Sequence, residues 1–313
     1  MHHHPSDKWP HISLTRRIAA VAISLLLATA CTTTAPTDSS NNSVDATSDS
    51  TPSDITAETA IAPATKVVAL SSISSDLVET LADDVLVGVA GSRLTAEDSR
   101  FDGLTVVSQG RTEPDLEKII ALEPDLVIGA EGFHEKTLQR MEELEIPTLA
   151  YDIDSWAALD SFTQELALRL GVDAQGVRDR YDACLAQASI DSKPESALIL
   201  VSRQPMLSPN KDSWAGDFLN QFNINNIAAD WQGESEFNGY VTLSAEKVLE
   251  ADPNALLVIN TGDNIVEQFK AEPFWGQLKA TQDDQVHVFE YFGLINPGSL
   301  ASIEDTCEKL GNL

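Results

Sequence analysis

The stretch that decides the fold reads EKIIALEPDLVI over Glu117–Ile128, and a close copy, EKVLEADPNALLVI, occupies Glu246–Ile259. In each copy a Glu-Lys pair opens a short apolar helix, an acidic residue and a proline end it, and an apolar strand follows. The proline forces the residue before it out of the helical region, which gives the helix a physical reason to stop. The copies lie 129 residues apart, from 117 to 246, so the chain is expected to contain two similar halves. Such corners also recur in α/β proteins that have no internal repeat.

Short β-branched runs alternate with helical patterns from Lys66 onward. Strands are predicted at Val67–Leu70, Val85–Val89, Thr105–Ser108, Leu126–Ile128, Thr148–Tyr151, Ala197–Val201, Leu256–Ile259 and Val286–Phe289. Helices are predicted at Asp76–Ala82, Leu116–Leu122, Lys136–Leu144, Asp217–Phe222, Ala245–Glu250 and Leu300–Leu310. A longer helical pattern runs from Trp156 to about Ala188, with a bend or break expected at Gly171 and Gly176. Alternation of strands and helices implies mainly parallel sheets that are covered on both faces.

The pattern predicts an α/β protein with two lobes joined by a helical segment. We place the N-terminal lobe at residues 66–155, the connecting segment at 156–190 and the C-terminal lobe at 191–313. Each lobe is expected to be a mainly parallel sheet flanked by helices, as in Rossmann-like folds.

Composition argues against several classes of function. The 313 residues carry a formal charge of −29, from 20 Lys and Arg against 49 Asp and Glu. Such a negative field repels phosphate backbones, which argues against nucleic-acid binding. Three cysteines are too few for a disulfide scaffold and include no CxxC pair for structural zinc.

Residues 1–30 have the pattern of a signal peptide. Basic residues precede Ile18–Ala30, an uncharged and largely apolar run of 13 residues that is too short to span a bilayer as a helix. Small residues then lead into Cys31, in a pattern that resembles the lipobox of bacterial lipoproteins, although Ala28 stands where leucine is usual. A secreted protein with an incidental cysteine is the alternative. Residues 31–65 are therefore predicted to be a lipidated cysteine followed by a polar, disordered tether.

Three stretches resemble the substrate-binding lipoproteins of ABC importers for iron(III)-siderophores, haem and cobalamin. They are Val67–Asp76 together with Glu79, Gly110–Ile128, and Tyr240–Pro253, and the resemblance extends from about Lys66 to Leu310. It implies a helical-backbone periplasmic binding protein, in which one long helix connects the lobes and the ligand lies in the cleft between them. It also implies a monomer that is lipid-anchored in the cell envelope, on the periplasmic or outer face of the cytoplasmic membrane, and that delivers its ligand to a permease dimer.

The resemblance assigns a role to Glu117 and Glu246. In this family one glutamate at the top of each lobe docks onto arginines of the permease, and these two glutamates hold the matching positions. A carboxylate in the first turn is also favoured by the helix dipole, so both residues could instead serve only their own helices.

Ligand contacts are expected just beyond the strand ends, because open parallel sheets bind at their carboxyl edges. Polar candidates at these positions are Ser71, Ser72, Arg93, Arg111 and Arg203. Guanidinium groups suit the anionic oxygens of an iron chelate, although arginines near loops are often ordinary surface ion-pair partners. Aromatic candidates for the cleft are Trp214, Trp231, Tyr240 and Tyr291, with Phe133, Tyr151 and Phe292 as further possibilities.

Neither a metal centre nor a resident cofactor is predicted. His134 and His287 are the histidines that follow the predicted signal peptide, and they are not spaced as a ligand pair. Cys184 and Cys307 fall in the connecting segment and the last predicted helix, and an oxidising envelope permits a disulfide that the sequence cannot decide.

The chain is expected to be a binding protein rather than an enzyme. It contains no GxSxG, Walker, HExxH or GxGxxG motif, and only Asp152-Ile153-Asp154 resembles the DxD signature of glycosyltransferases. The predicted function is capture of an iron(III)-siderophore for an ABC importer. Haem or cobalamin are the alternative ligands, and a signalling lipoprotein or a DxD-type glycosyltransferase are alternatives of another class.

Overall fold

The computed structural model describes residues 62–109, 112–189, 194–233, 235, 237–262 and 264–313. The signal peptide, Cys31, most of the predicted tether and Arg111 lie outside these ranges. None of the helices in the described ranges is both long enough and apolar enough to cross a membrane.

The first lobe is a five-stranded parallel sheet in the order β3-β2-β1-β4-β5. Its elements in chain order are β1 (Val67–Ala69), α1 (Ser72–Leu81), β2 (Leu86–Gly91), α2 (Arg93–Glu97), β3 (Thr105–Gln109), α3 (Leu116–Ala121), β4 (Leu126–Ala130), α4 (Glu135–Glu143) and β5 (Thr148–Tyr151). All five predicted strands and all three predicted helices of this lobe are confirmed, with ends that differ by a few residues. Because the strands are parallel, their carboxyl ends meet at one edge of the sheet.

The connection between the lobes is two helices rather than one uninterrupted helix. They are α5 (Trp156–Leu170) and α6 (Gln175–Leu185), and a 3₁₀ turn follows at Ala186–Ser189. Gly171 ends α5 in the left-handed conformation, with φ of 69°. Glycine adopts this conformation without steric cost, so the predicted break falls at Gly171.

The second lobe has a three-stranded parallel sheet, in the order β11-β10-β6, and a separate antiparallel sheet, in the order β7-β8-β9. Its elements are β6 (Ala197–Leu200), β7 (Ser202–Arg203), β8 (Met206–Pro209), α7 (Trp214–Gln221), β9 (Tyr240–Thr242), α8 (Ala245–Ala251), β10 (Ala255–Asn260), α9 (Ile265–Lys270), α10 (Lys279–Gln282), β11 (Val286–Glu290), α11 (Tyr291–Leu294) and α12 (Leu300–Gly311). The three predicted strands, β6, β10 and β11, are confirmed. The antiparallel sheet was not predicted, because strands of two to four residues are too short to show an alternating pattern.

Strand pairing shows that the two lobes share one plan. β1 pairs with β4 in parallel, with Val67 opposite Leu126, and β6 pairs with β10 in the same way, with Ala197 opposite Ala255. In the first lobe β2 lies on the other side of β1, whereas the corresponding side of β6 has, among the described residues, an isolated bridge between Ala197 and Asn226. The central strands of the repeat are therefore conserved in the fold, and the sheet beside them differs.

One hydrophobic cluster runs through both lobes and the connection. Trp156, at the start of α5, lies at its centre, with ring centroids 5.4 Å from Trp214, 5.2 Å from Phe218 and 5.7 Å from Tyr181. Because this cluster includes residues of both sheets, the lobes are joined by packed apolar side chains as well as by the chain itself.

Polar contacts add to this junction. The buried Asp76 carboxylate of α1 accepts a hydrogen bond from the Leu300 backbone N–H of α12 at 2.7 Å. The Asp217 carboxylate of α7 accepts one from the Trp156 backbone N–H at 2.8 Å. Each bond joins a side chain to the first turn of a helix in another part of the molecule, α12 or α5. The backbone N–H groups of a first turn have no partner within their own helix.

Candidate functional site

Hydroxyl groups collect at the carboxyl edge of the first-lobe sheet. Ser71 caps α1 after β1, and its hydroxyl is hydrogen-bonded to the hydroxyl of Tyr151 at the end of β5. Ser72 donates a hydrogen bond to the hydroxyl of Ser92, which caps α2 after β2, at 2.8 Å. Burial raises the pKa of Tyr151 to about 12, so its phenol stays protonated at neutral pH. The strand ends therefore present a neutral, hydrogen-bonding surface, with the predicted Ser72 in it.

The predicted arginines have different surroundings. Arg93 is the first residue of α2, its side chain is largely exposed, and its closest described ion-pair partner, Glu97, is 3.9 Å away. The guanidinium of Arg203 instead pairs with Glu272 at 2.6 Å and is only one-third exposed. Arg203 lies on β7, not in a loop after the strand, and its charge is already balanced within the lobe. Arg111 lies outside the described residues, so Arg93 is the described arginine whose charge remains available at this edge.

Trp214 belongs to the core rather than to a ligand surface. Its side chain is 3% exposed, and its indole N–H donates a hydrogen bond to the Gly293 carbonyl at 2.7 Å. It also packs on Trp156 and Phe218. This corrects the expectation of a ligand contact. The signal lies in the sequence, because Trp214, Phe218 and Phe222 follow one another at four-residue steps and mark one buried helix face.

Trp231 lies beside helix α8. The Lys247 ammonium is 4.3 Å from the centroid of its ring, and the half-buried ring packs against the second-lobe core. A cation over the face of an indole is a favourable contact. Trp231 therefore lies beside Lys247, the residue that follows Glu246, and this contact was not predicted.

Tyr240 and Tyr291 both pack against the hydrophobic cluster that runs through the two lobes. Burial raises the pKa of Tyr240, and the neighbouring Tyr291 raises it further. Phe237 was not predicted; it is half exposed and its ring stands edge-on to Tyr240 at 6.4 Å. Phe133, just after β4, is the most exposed large apolar side chain of the first lobe. Each lobe therefore exposes a large aromatic side chain, and the one in the second lobe, Phe237, contacts the predicted Tyr240.

The histidines have structural surroundings. The Nδ1 atom of His134 accepts a hydrogen bond from the Ala130 backbone N–H at 2.9 Å, and burial lowers its pKa. His287 lies on β11, and burial lowers its pKa as well. In the part of the chain that the structure describes, no three His, Cys, Asp or Glu side chains are grouped so that they could hold a metal ion.

The Asp152-Ile153-Asp154 run is the turn that leads from β5 into α5. Asp152 and Asp154 are exposed, and the next residue, Ser155, caps α5 by accepting a hydrogen bond from the Ala158 backbone N–H. The run therefore has an ordinary structural role as a helix entry.

A groove of about 1010 Å³ lies along β11. All five residues of β11 line it, together with residues of α12 and with Arg93 and Leu94 of the first lobe. The groove therefore follows the edge of the second-lobe sheet and reaches the strand-end region only near Arg93.

The two repeated corners have matching geometry at their helix starts. Asp115 caps α3 by accepting a hydrogen bond from the Lys118 backbone N–H, and Ser244 caps α8 by accepting one from the Lys247 backbone N–H. Glu117 and Glu246 follow at the same position in the first turn, and both are exposed. Hydrogen bonds from its own backbone N–H and from the Ser244 hydroxyl lower the pKa of Glu246, so its carboxylate is charged at neutral pH.

The corners also match at their helix ends. Glu123 and Asp252, the residues before the two prolines, have positive φ values of 51° and 37°. In the residue after each proline, a polar side chain anchors the next strand: Asp125 accepts hydrogen bonds from the Thr65 and Lys66 backbone N–H groups, and Asn254 accepts one from the Ser196 hydroxyl. The corner is thus a complete structural unit that occurs once in each lobe.

The lysine after each glutamate is held by another group. The Lys118 ammonium lies 3.8 Å from the Asp115 carboxylate, whereas Lys247 lies over Trp231. Among the ion pairs of the described residues, none involves Glu117 or Glu246. Both carboxylates are therefore available to a cation of a partner protein.

Cys184 of α6 and Cys307 of α12 form a disulfide, with their Cα atoms 5.5 Å apart. Next to it, Arg180 and Glu304 pair through two hydrogen bonds of 2.6 and 2.8 Å. The last helix is thus joined to the connection by a covalent bond and an ion pair.

Comparison with known proteins gives matches of several kinds. The chain is 26% identical over 192 residues to the Fe(3+)-citrate-binding protein YfmC of Bacillus subtilis, which covers 56% of this chain and 57% of that protein. An ABC transporter substrate-binding protein of Listeria monocytogenes is similar in structure, with a TM-score of 0.64, 20% identity, and coverage of 78% of this chain and 97% of the other. The periplasmic haem-binding protein RhuT of Roseiflexus sp. RS-1 has a TM-score of 0.62 and 21% identity, with coverage of 79% and 98%.

These two structural likenesses support the two-lobed fold. The alignment with the curated relative spans little more than half of that protein's length. The family model for periplasmic binding proteins matches residues 67–290, from the first strand of the first lobe to the last strand of the second. The chain therefore belongs to the periplasmic binding protein family.

Proposed function

We propose that this protein is the extracytoplasmic substrate-binding lipoprotein of an ABC importer, and that it delivers an iron(III)-siderophore to a membrane permease. The observation that carries the proposal is the equal placement of Glu117 and Glu246 on the two repeated corners. Both carboxylates are exposed, and the lysine beside each is held elsewhere. An iron-citrate-binding relative and an ABC transporter substrate-binding protein of similar fold support the same function.

The ligand is proposed to lie between the carboxyl edge of the first-lobe sheet and the facing second-lobe residues. Ser72 and Arg93 would offer hydrogen bonds and a positive charge, and Tyr240, Tyr291 and Phe237 would offer apolar contact area. Iron is then cargo that arrives already chelated, so the protein needs neither a metal site nor a resident cofactor of its own.

Haem and cobalamin are the alternative ligands within the same mechanism. The similarity in fold to a haem-binding protein supports haem. Tyrosinate is a known axial ligand of haem iron, but burial raises the pKa of Tyr240 and disfavours its tyrosinate form.

Attachment to the membrane is proposed to occur through a lipid on Cys31, with the polar segment up to residue 65 as the tether. Replacement of Cys31 by serine in the full chain is expected to move the protein from the membrane fraction to the soluble envelope fraction, because serine has no thiol to carry the proposed lipid. Fractionation followed by immunoblotting measures this. Unchanged membrane association of Cys31→Ser would contradict the lipid anchor.

The experiment that tests the importer function is complementation of uptake. Host cells without their own copy of the gene receive the full chain, and radioactive iron is supplied in turn as ferric citrate, a ferric hydroxamate and a ferric catecholate. We expect uptake of at least one chelate to be restored, and the chelate that is restored identifies the ligand class. Labelled haemin and cobalamin in the same assay test the alternative ligands.

The same assay separates other classes of function. A signalling lipoprotein that retains the lobes would leave uptake of all five compounds at the level of the deletion strain. A DxD-type glycosyltransferase would do so as well, and would consume a nucleotide sugar in solution. Either result would contradict the importer function.

A further inference from the structure

Helices α3 and α8, which carry Glu117 and Glu246, each have an aliphatic side chain one turn after the glutamate. Ile120 follows Glu117 by three residues, and Leu249 follows Glu246 by three residues. Residues three apart lie on the same face of a helix, so each carboxylate and its aliphatic neighbour face the same direction.

Ile120 is unusually open for its residue type. It is 43% exposed, although isoleucine is among the residues most often fully buried. Ile119, the residue before it, is fully buried and supplies the packing of α3 against the first-lobe core. The exposure of Ile120 therefore does not result from a loosely packed helix.

Leu249 differs from Ile120 in degree. Its side chain is half-buried and packs against the second-lobe core. The pair consisting of a carboxylate and an aliphatic side chain is thus repeated, but its aliphatic member is more accessible in the first lobe.

We propose that Ile120, and to a smaller extent Leu249, make an apolar contact with the importer permease beside Glu117 and Glu246. This rests on the proposed function. The partner is a membrane dimer that presents, at two equivalent positions, a guanidinium group with an apolar surface beside it. The same pairing of a glutamate with an aliphatic side chain occurs once in each lobe. It therefore matches a partner that has two equivalent binding sites, as a homodimer does.

The physical gain comes from the exclusion of water. An aliphatic side chain that packs beside a carboxylate–guanidinium pair lowers the local dielectric, which strengthens the attraction between the charges. Interfaces commonly place apolar residues around their strongest contacts for this reason. The lysines do not compete, because Lys118 is close to Asp115 and Lys247 lies over Trp231.

The test compares Ile120→Ser, Leu249→Ser and a matched control, Leu168→Ser, in the full chain. Leu168 is a 64% exposed aliphatic residue of α5 and belongs to neither corner. Uptake of radioactive iron from ferric citrate, a ferric hydroxamate and a ferric catecholate is measured in the deletion strain at low expression. We expect Ile120→Ser to lower the uptake rate about tenfold and Leu249→Ser about threefold, on the scale of one lost aliphatic contact. Leu168→Ser is expected to match the wild type.

Control measurements keep the result specific. The melting temperature and the affinity for the same chelates should be unchanged in Ile120→Ser, and Ile120→Leu should restore uptake because it restores the apolar surface.

Three outcomes would overturn the proposal. If Glu117→Ala with Glu246→Ala abolishes uptake while Ile120→Ser behaves like Leu168→Ser, the apolar contact is wrong and the importer function stands. If the wild type restores uptake of no compound, the importer function fails and the apolar contact fails with it. If Ile120→Ser instead converts a dimer of the purified protein into a monomer in sedimentation, the side chain serves self-association and the proposal is overturned.

Discussion

The two lobes use the same corner and differ in the sheet beside it. In both, a capped helix with an exposed glutamate is followed by a residue of positive φ, a proline and a buried strand. On the side of β1 away from β4, the first-lobe sheet continues with two more parallel strands, β2 and β3. The second lobe instead has a single bridge at Asn226 and a separate antiparallel sheet.

The proposed docking on a permease would explain why the corner, and not the sheet beside it, is the same in both lobes. A corner that must meet one of two equivalent sites on a partner has to keep its geometry in both lobes. The residues that face a ligand have no such requirement, because an asymmetric ligand contacts the two lobes differently. The hydroxyl-rich edge of the first lobe and the tyrosines of the second fit this division.

The largest expected effect is on the feature that the lobes share. Replacement of both Glu117 and Glu246 by alanine should reduce iron uptake to the level of the deletion strain, because both contacts with the permease are lost. Ligand affinity should be unchanged, since neither side chain lies at the strand ends. Uptake assays together with titration of the purified variant measure the two quantities.

The single variants sharpen the comparison of the corners. If the corners are equivalent, Glu117→Ala and Glu246→Ala should lower uptake to a similar extent. Weakened ligand binding with intact uptake would reverse the assignment of both residues. Glu267, an exposed glutamate in the first turn of α9 and outside both repeated corners, offers a matched control, and Glu267→Ala should have little effect.

A second prediction concerns Trp214, which anchors the second lobe in the shared hydrophobic cluster. Trp214→Ala removes a buried indole and its hydrogen bond to Gly293, so the free energy of unfolding should fall by about 3–5 kcal/mol. Urea denaturation measures this. For the half-buried Trp231, replacement by alanine should cost less, and equal small losses for both variants would show that Trp214 is not a core residue.

A third prediction concerns the disulfide, which in the described residues joins the last helix of the second lobe to the connection. Cys184 and Cys307 are 123 residues apart in sequence, so loss of the bond should lower the free energy of unfolding by about 2–5 kcal/mol. Urea denaturation of the double serine variant measures this. If alkylated protein has the same mass with and without prior reduction, the disulfide is absent.

The smallest expected effect concerns the histidines, of which the described part of each lobe holds one. Burial lowers the folded-state pKa of His134 below its ordinary value of 6.5, so the unfolded state binds protons first as the pH falls. The stabilising contribution is therefore complete above about pH 6.5 and is lost at lower pH, down to the folded-state pKa. His134→Asn should show a weaker loss of stability between pH 7 and pH 5 than the wild type, as measured by thermal unfolding across that range.

His287 extends this prediction to the second lobe. Burial lowers its pKa too, but the structure records no hydrogen bond to the ring of His287 among the described contacts, whereas protonation of His134 at Nδ1 would also break the bond from Ala130. The wild-type loss on acidification should therefore depend more on His134. An equal or larger effect of His287→Asn would contradict this ranking.

Much of the fold could be predicted because long β-branched runs and proline stops are local signals. The strands of both parallel sheets and the break at Gly171 follow from them. The antiparallel sheet could not be found, since β7 has two residues and β9 three, and their pairing depends on contacts that are distant in sequence.

The candidate site was harder to predict than the fold. A position at a strand end predicts where a charged side chain lies but not which side chain pairs with it. The ion pair of Arg203 with Glu272 could therefore not be predicted. The sequence predicts a helix only from Asp217, whereas α7 begins three residues earlier at Trp214, so the burial of Trp214 is not predicted. The equal placement of Glu117 and Glu246 could be predicted because it depends on a sequence repeat, whereas their role in docking is a proposal.

The central claim is that the two lobes hold an intact chelate and release it without chemical change. Its most direct test is titration of the purified protein with ferric citrate, a ferric hydroxamate, a ferric catecholate, haemin and cobalamin, followed by tryptophan fluorescence, with recovery of the bound compound for mass spectrometry. The account predicts saturable binding of at least one compound, at one molecule per chain, and recovery of that compound unchanged. Binding of none of them, or recovery of a chemically altered product, would contradict it.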